Sequence, residues 1–237
     1  MRAFVLAIFM TVTASVASAQ ATREHIIVSG GPALLTWEKL RFKADQHDKF
    51  HFNFIRPVAW SRIGQLQKIH GKGSKITWLV HRPSYEKRQR ESGKPLIQWI
   101  QSVISKYPAV KLVWFSSGDD VINYINSGQN RRRTKVGGVD FYLHSNKYCF
   151  MFDYSSDILG GSKAFLHQRD IGRLKRSAFA KGAQSKSWGC HTGESMSAAW
   201  RKATGTKLWG AIGKTDYSDI SLNKGVPKLS PNGRWAY

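Results

Sequence analysis

Short apolar runs alternate with amphipathic segments along most of the chain. Runs rich in branched aliphatic and aromatic residues predict a short paired strand within 148–154 and main strands at 25–29, 75–80, 111–115, 139–144 and 207–213. Apolar residues at helical spacing predict helices at 60–69, 96–104, 119–126 and 163–179. This alternation is typical of a mostly parallel sheet with helices on both faces, so we expect an α/β fold. The tail from residue 214 is rich in Gly, Pro, Ser and Asn, which predicts loop.

The first residues have the pattern of a secretory signal. An apolar run near the amino terminus leads to Ala17-Ser18-Ala19, an A-x-A cleavage site ahead of Gln20. The run is too short to span a membrane, and no later stretch supplies a transmembrane segment. We therefore expect a signal peptide at 1–19 and a single α/β domain at 20–237, with residues 20–74 as an N-terminal extension. The mature protein is expected to be secreted or periplasmic.

The charge of the chain is strongly basic. Lys and Arg total 37 against 15 Asp and Glu, which gives a formal net charge of +22. Such a field favours acidic partners such as polyanions or an envelope surface. The basic residues are dispersed apart from the run 131–133 and a looser cluster of Arg173, Lys175 and Arg176, and dispersed charge is more typical of a solvated surface. A non-enzymatic basic protein that binds polyanions at the envelope is therefore one hypothesis for function.

Two segments carry residues suited to catalysis. Cys190 lies in Ser187-Trp188-Gly189-Cys190-His191-Thr192-Gly193, which we interpret as a strand end before a helix that starts near Glu194, with Thr192 or Ser195 as its cap. Backbone N–H groups and a helix dipole at that place favour a thiolate. His144 ends another predicted strand, 46 positions earlier (190 − 144 = 46). Because ligands collect at the carboxyl ends of parallel strands, we expect His144, Cys190 and the loop 214–216 to converge on one rim.

The cysteine count leaves alternatives open. Cys149 and Cys190 are the two cysteines, and in an oxidising compartment they could form one disulfide. The same count fits one structural thiol and one reactive thiol, and we predict that Cys149 is buried and unpaired. A zinc site would need Cys149, Cys190, His144 and His191, but no C-x-x-C or H-x-x-x-H spacing supports it. We expect no metal and no other cofactor.

An apolar block ending in His, followed about fifty residues later by a small residue and Cys, resembles the caspase-like cysteine peptidases. This group includes caspases, legumains, gingipains, clostripains and separases. The first block here is Val139-Asp140-Phe141-Tyr142-Leu143-His144 and the second ends at Trp188-Gly189-Cys190, with a spacing like that of caspases. The resemblance covers roughly residues 75–213. The chain departs from the pattern at Ser145, where Gly is usual, and at His191, which is unusual after the nucleophile.

The resemblance implies a caspase-like three-layer sandwich and a His/Cys dyad that cleaves peptide bonds. Cys190 would be the nucleophile and His144 the base or proton donor to the leaving group, with a peptide or protein as substrate. The backbone N–H groups of Ser145 and Cys190 would stabilise the oxyanion. Loops at the same rim would form the substrate pocket, with four candidates for charge selection: Asp153, Asp157, Lys214 and Asp216. Taken singly, a histidine or a cysteine more often has a structural role, and only their order, spacing and placement together favour the dyad.

Overall fold

The computed structural model of the protein describes residues 22–40, 52–154 and 162–237. Its strands are β1 (Thr22–Ser29), β2 (Lys75–His81), β3 (Val110–Phe115), β4 (Thr134–Tyr142), β5 (His144–Ser145), β6 (Cys149–Met151), β7 (Phe165–His167), β8 (Gln184–Ser187), β9 (Lys207–Ile212), β10 (Thr215–Asp216), β11 (Lys228–Leu229) and β12 (Arg234–Ala236). Its α-helices are α1 (Leu35–Leu40), α2 (Ile63–His70), α3 (Arg82–Ser92), α4 (Leu96–Lys106), α5 (Gly118–Ser127) and α6 (Met196–Thr204). A π-helical turn (Val58–Arg62) leads into α2, and two 3₁₀ turns (Gln168–Arg173 and Arg176–Ala178) follow β7.

Seven strands form the central sheet, in the order β3-β2-β1-β4-β8-β9-β12. The first six are mutually parallel, and β12 runs antiparallel to β9 at the edge. The predicted α/β class with a mostly parallel sheet is therefore confirmed. Two small antiparallel sheets, β5-β6-β7 and β10-β11, stand apart from the central one.

Each face of the sheet packs against its own set of helices. Ile26 and Val28 of β1 point to a cluster that includes Val121 of α5 and Trp200 of α6. Ile27, between them, points to the opposite cluster with residues of α2, α3 and α4. Alternate residues of a strand face opposite sides of a sheet, so an almost uninterrupted apolar run serves both cores. The result is a three-layer arrangement of helices, sheet and helices.

Some predicted elements differ from the structure. The helix predicted at 163–179 is wrong: this segment contains β7 and the two 3₁₀ turns. Pairing of β7 with β6 holds its first residues extended, and the His167 ring accepts a hydrogen bond from the Arg169 backbone N–H at 3.2 Å, which opens a tight turn. The tail predicted as loop contains β10, β11 and β12, because pairing with distant strands supplies regularity that local composition lacks.

The predicted signal peptide lies outside the described residues, as does Asp157. None of the described helices is long and apolar enough to cross a membrane. Residues 22–29, at the start of the expected N-terminal extension, form β1 in the middle of the sheet between β2 and β4.

Candidate active site

The two candidate catalytic residues follow neighbouring strands. β4 and β8 are parallel partners, with Asp140 opposite Lys186 and Phe141 opposite Ser187. His144 begins β5 just beyond β4, and Cys190 lies just beyond β8, in a turn that precedes α6. Parallel neighbours end at the same edge of a sheet, so both residues lie beyond one edge.

A hydrogen bond joins the two segments. The Ser145 hydroxyl donates to the Cys190 carbonyl at 2.6 Å. The residue before the cysteine must be small, because a Cβ at Gly189 would lie 2.2 Å from Ser145 Oγ. On the other side of the cysteine, His191 adopts a φ of 63° and its backbone N–H donates to the Gly213 carbonyl at 2.7 Å. The turn that carries Cys190 is thus held to both β5 and the chain after β9.

The thiol itself is directed towards Thr215. The Thr215 backbone N–H donates to Cys190 Sγ at 3.4 Å, and Thr215 Oγ1 lies 3.5 Å from the sulfur. The Thr215 hydroxyl also donates to the Trp188 carbonyl at 2.8 Å, which fixes its position. The thiol can also donate to the Thr215 carbonyl, whose oxygen lies 3.9 Å from the sulfur. Thr215 belongs to the loop 214–216 that we expected at this rim.

The helix after the cysteine starts later than predicted. α6 begins at Met196 with Ser195 at its N-cap, and the Ser195 side chain makes no capping hydrogen bond. Residues 191–195 are turns. Glu194, expected in the first helical turn, instead accepts hydrogen bonds from the His191 ring at 2.6 Å and the Gly213 backbone N–H at 3.1 Å. The hydrogen bond from His191 lowers the pKa of Glu194. Cys190 is therefore not at a helix N-terminus, and its predicted placement there is wrong.

Aromatic rings surround His144. Its ring packs edge-to-face on Phe54, with centroids 4.9 Å apart, and lies 5.3 Å from the Tyr154 ring. Phe54 also packs edge-to-face on Tyr217 at 5.1 Å, and the Tyr217 hydroxyl donates to the Trp188 carbonyl at 2.9 Å. A chain of ring contacts therefore connects His144 with the segment that carries Cys190. Phe54 and Tyr217 gave no signal in the sequence, because the residues that they contact are distant in the chain.

The expected charge-selecting residues have other contacts. Asp153 is 6% exposed, and its carboxylate accepts hydrogen bonds from the Ser162 hydroxyl and the Lys163 backbone N–H at 2.6 and 2.7 Å. Asp216 accepts two hydrogen bonds from Ser218, one from the backbone N–H at 2.8 Å and one from the hydroxyl at 2.7 Å. Lys214 is exposed. The two described aspartates thus hold loops in place.

Both cysteines are free thiols. Cys149 is half-buried rather than fully buried, and burial raises the pKa of its thiol. No group of three or more His, Cys, Asp or Glu side chains within residues 22–40, 52–154 and 162–237 could hold a metal ion.

A polar cavity of about 200 Å³ lies on the α2 face of β4 and β8. Asp140 is 4% exposed and pairs with Arg62, whose Nε lies 2.6 Å from Oδ2. Burial raises the pKa of Asp140, although Arg62 opposes the shift. The Lys186 ammonium lies 4.1 Å from the Trp188 ring centroid and 4.0 Å from that of Trp235. The sequence signal for this cavity was a charged residue, Asp140, inside an apolar strand.

No protein-family model, curated protein or solved structure matches the chain.

Proposed function

We propose that the protein is a secreted, caspase-like cysteine peptidase in which Cys190 is the nucleophile and His144 exchanges protons with the thiol and the leaving group. The observation that carries this proposal is the joining of the two segments beyond β4 and β8 by the hydrogen bond from Ser145 Oγ to the Cys190 carbonyl. A cysteine and a histidine beyond neighbouring strand ends are the two groups that nucleophilic cleavage of an amide requires.

The proposed reaction has two steps. The Cys190 thiolate attacks the scissile carbonyl carbon, and the resulting oxyanion accepts hydrogen bonds from the backbone N–H groups of Cys190 and Ser145. The Cys190 N–H makes no hydrogen bond to another residue of the described ranges, which leaves it available. Collapse of this intermediate breaks the C–N bond as His144 protonates the departing amine. Water then attacks the thioester, which releases the acid and restores the thiol.

The basic character of the chain supports a second activity beside cleavage. With a net charge of +22, the protein is proposed to adhere to polyanions or to an anionic envelope surface, with a peptide or protein as the substrate of the site. This binding does not need Cys190. A basic envelope-binding protein without catalysis is the alternative that remains if the chemistry fails.

Alkylation of the thiols tests the catalytic proposal. Iodoacetamide is expected to label Cys190 at least tenfold faster than Cys149 near neutral pH, because the thiolate is the reactive form and burial raises the pKa of Cys149. Peptide mapping by mass spectrometry measures both rates in one sample. His144→Ala should slow the labelling of Cys190, and Cys190→Ala should abolish cleavage of an unfolded protein such as casein while leaving the fold intact.

Cys149→Ala is the matched control, since it removes the other thiol and should leave cleavage unchanged. Equal labelling of the two cysteines, with no effect of His144→Ala, would exclude the dyad.

A further inference from the structure

Basic side chains stand at the amino ends of the parallel strands. Five strands, β1, β2, β3, β4 and β9, each carry a basic residue at their first or second position. A further lysine lies in the turn before β8. We call this set the basic edge: Arg23, Lys75, Lys111, Lys135, Lys181 and Lys207. All are exposed except Lys135, which is half-buried. Arg23 is the register partner of Lys135, and Lys207 of Gln184, so the charges follow one another across the sheet.

Acidic residues are placed differently. Among the described residues, Glu24 is the carboxylate at the basic edge, and it is fully buried. It pairs with Arg131 and accepts a hydrogen bond from the Thr77 hydroxyl at 2.6 Å, so it is neutralised inside the protein. Other described carboxylates, such as Asp119 after β3 and Glu194 after β8, follow the carboxyl ends of strands, and Asp140, inside β4, pairs with Arg62. The surplus of positive charge at the basic edge is therefore not offset by neighbouring acids.

The two basic clusters of the sequence meet beside this edge. A cavity of about 520 Å³ is lined by Arg132 and Lys175, which are 43 positions apart (175 − 132 = 43). Asn126 joins their segments, because its side chain donates to the Arg173 carbonyl at 2.9 Å and accepts from the Lys175 backbone N–H at 2.8 Å. The side chains of Arg132 and Lys175 are exposed and make no hydrogen bond or ion pair with another described residue. They are available to a ligand.

The spacing of these charges suits a linear polymer. Neighbouring strands lie about 4.8 Å apart, so the six parallel strands place positive charges along roughly 24 Å of edge. A nucleic acid strand carries one phosphate per ~3.4 Å of duplex axis, and polymers of alternating phosphate and polyol present a similar row of charges. Lys and Arg bind such backbones by displacing condensed counterions, without reading a sequence.

We infer that the basic edge and its neighbouring cavity form a binding surface for a linear phosphodiester polymer, held through its backbone phosphates. This surface locates the polyanion contact of the proposed function, and it does not depend on the chemistry of Cys190. Because the basic edge lies at the amino ends of the strands and Cys190 beyond the carboxyl ends, a bound polymer leaves the thiol accessible.

Paired charge variants test the location. The edge variant carries Lys181→Gln at the basic edge and Arg132→Gln and Lys175→Gln at its neighbouring cavity, all at exposed positions. The control variant carries Lys147→Gln, Lys214→Gln and Lys224→Gln, which remove the same charge from exposed positions in the loops that follow β5, β9 and β10. Fluorescence anisotropy with a labelled 20-base-pair DNA duplex, and separately with a labelled poly(glycerol phosphate), measures affinity over a range of sodium chloride concentrations.

The edge variant should bind at least tenfold more weakly, and the slope of log K against log salt should fall by about 0.9 for each phosphate that the variant no longer neutralises. The control variant should stay within twofold of wild type. Binding of both polymers supports a surface for phosphodiester backbones in general, and binding of one alone also identifies the source of the phosphates. Equal losses in the two variants would show that the charge acts diffusely. Tighter binding to vesicles containing phosphatidylglycerol than to either polymer would replace the polymer with a membrane surface.

The opposite placement of the two sites has its own test. Saturating duplex should leave the rate of Cys190 alkylation unchanged, and Cys190→Ala should bind duplex as wild type does. Protection of Cys190 by the duplex would overturn the placement. Loss of peptidase activity alone would leave the polymer-binding surface supported. The peptidase proposal and the binding proposal can therefore fail independently.

Discussion

At the scale of single residues, the candidate site depends on a close approach between Gly189 and Ser145. A Cβ at position 189 would lie 2.2 Å from Ser145 Oγ and 2.8 Å from Ser145 Cβ. Real side chains do not approach so closely, so a larger residue would have to displace Ser145 and with it the hydrogen bond to the Cys190 carbonyl. The small residue before the cysteine therefore has a packing role that the resemblance to caspase-like peptidases did not explain.

Gly189→Ala is expected to lower both stability and thiol reactivity. The overpacking should reduce the free energy of unfolding by about 1–3 kcal/mol, measured by urea denaturation. Iodoacetamide labelling of Cys190 should slow, because the turn that holds the thiol against Thr215 must move.

Gly64→Ala is the matched control. Gly64 lies in α2, and a Cβ added there would meet no atom within 4 Å, so the same chemical change should stabilise the helix by up to about 1 kcal/mol. A Gly189→Ala variant as stable and as reactive as wild type would contradict the packing role.

At the scale of elements, contacts between β1 and α2 bury a histidine at the amino end of the sheet. His25 of β1 is 8% exposed, and its ring stacks on His70 of α2 with centroids 4.1 Å apart. Its Nε2 has no hydrogen-bond partner among the described residues. Burial first, and then the charges of His70, Arg62 and Arg23, lower the pKa of His25 from 6.5 to about 4, with Glu24 opposing.

Stability should consequently fall as the pH falls from about 6.5 to about 4. The unfolded chain binds a proton at His25 near pH 6.5, whereas the folded protein resists protonation until about pH 4, so protons favour unfolding in this window. The loss attributable to His25 is on the order of 3 kcal/mol below pH 4. It is measured as the difference in unfolding free energy between pH 7 and pH 4 for wild type and for His25→Phe, which retains a ring for stacking.

The contributions of other titrating groups are common to both proteins and cancel in this comparison. The His25→Phe curve should be the flatter of the two. Parallel curves would show that His25 does not titrate differently in the folded and unfolded states.

At the scale of the whole molecule, carboxylates are distributed unevenly along the strand direction. The basic edge lies at the amino ends of the strands, and the carboxylates Asp119, Glu194 and Asp216 follow carboxyl ends. A net charge of +22 on one folded chain also repels itself, which opposes folding. Most of this repulsion acts between exposed groups, which salt screens effectively.

Moderate salt should therefore stabilise the protein. Raising sodium chloride from about 20 to about 300 mM is expected to increase the unfolding free energy by about 1 kcal/mol, which corresponds to roughly 2–4 °C in Tm for a chain of this size. Differential scanning fluorimetry measures the change. A Tm that falls steadily with salt would mean that exposed ion pairs such as Asp119–Arg173 outweigh the repulsion.

The sequence by itself determined most strands of the central sheet, helices α2, α4 and α5, and the α/β class. These features depend on local periodicity, and α5 is also capped locally, because Ser117 and Asp120 are close in the chain and form a reciprocal capping box. The order of His and Cys relative to strand ends was visible for the same reason.

Tertiary structure alone decided the features that depend on residues far apart in sequence. Pairing with β9 makes the end of the tail a strand, β12. Pairing with β6 holds β7 extended where helical spacing predicted a helix. The approach of Thr215 to Cys190 and of Phe54 to His144 depends on packing. The basic edge likewise arises because parallel strands bring the starts of six separate segments to one side of the sheet. No local pattern records such distances, because they are set by how the chain folds back on itself.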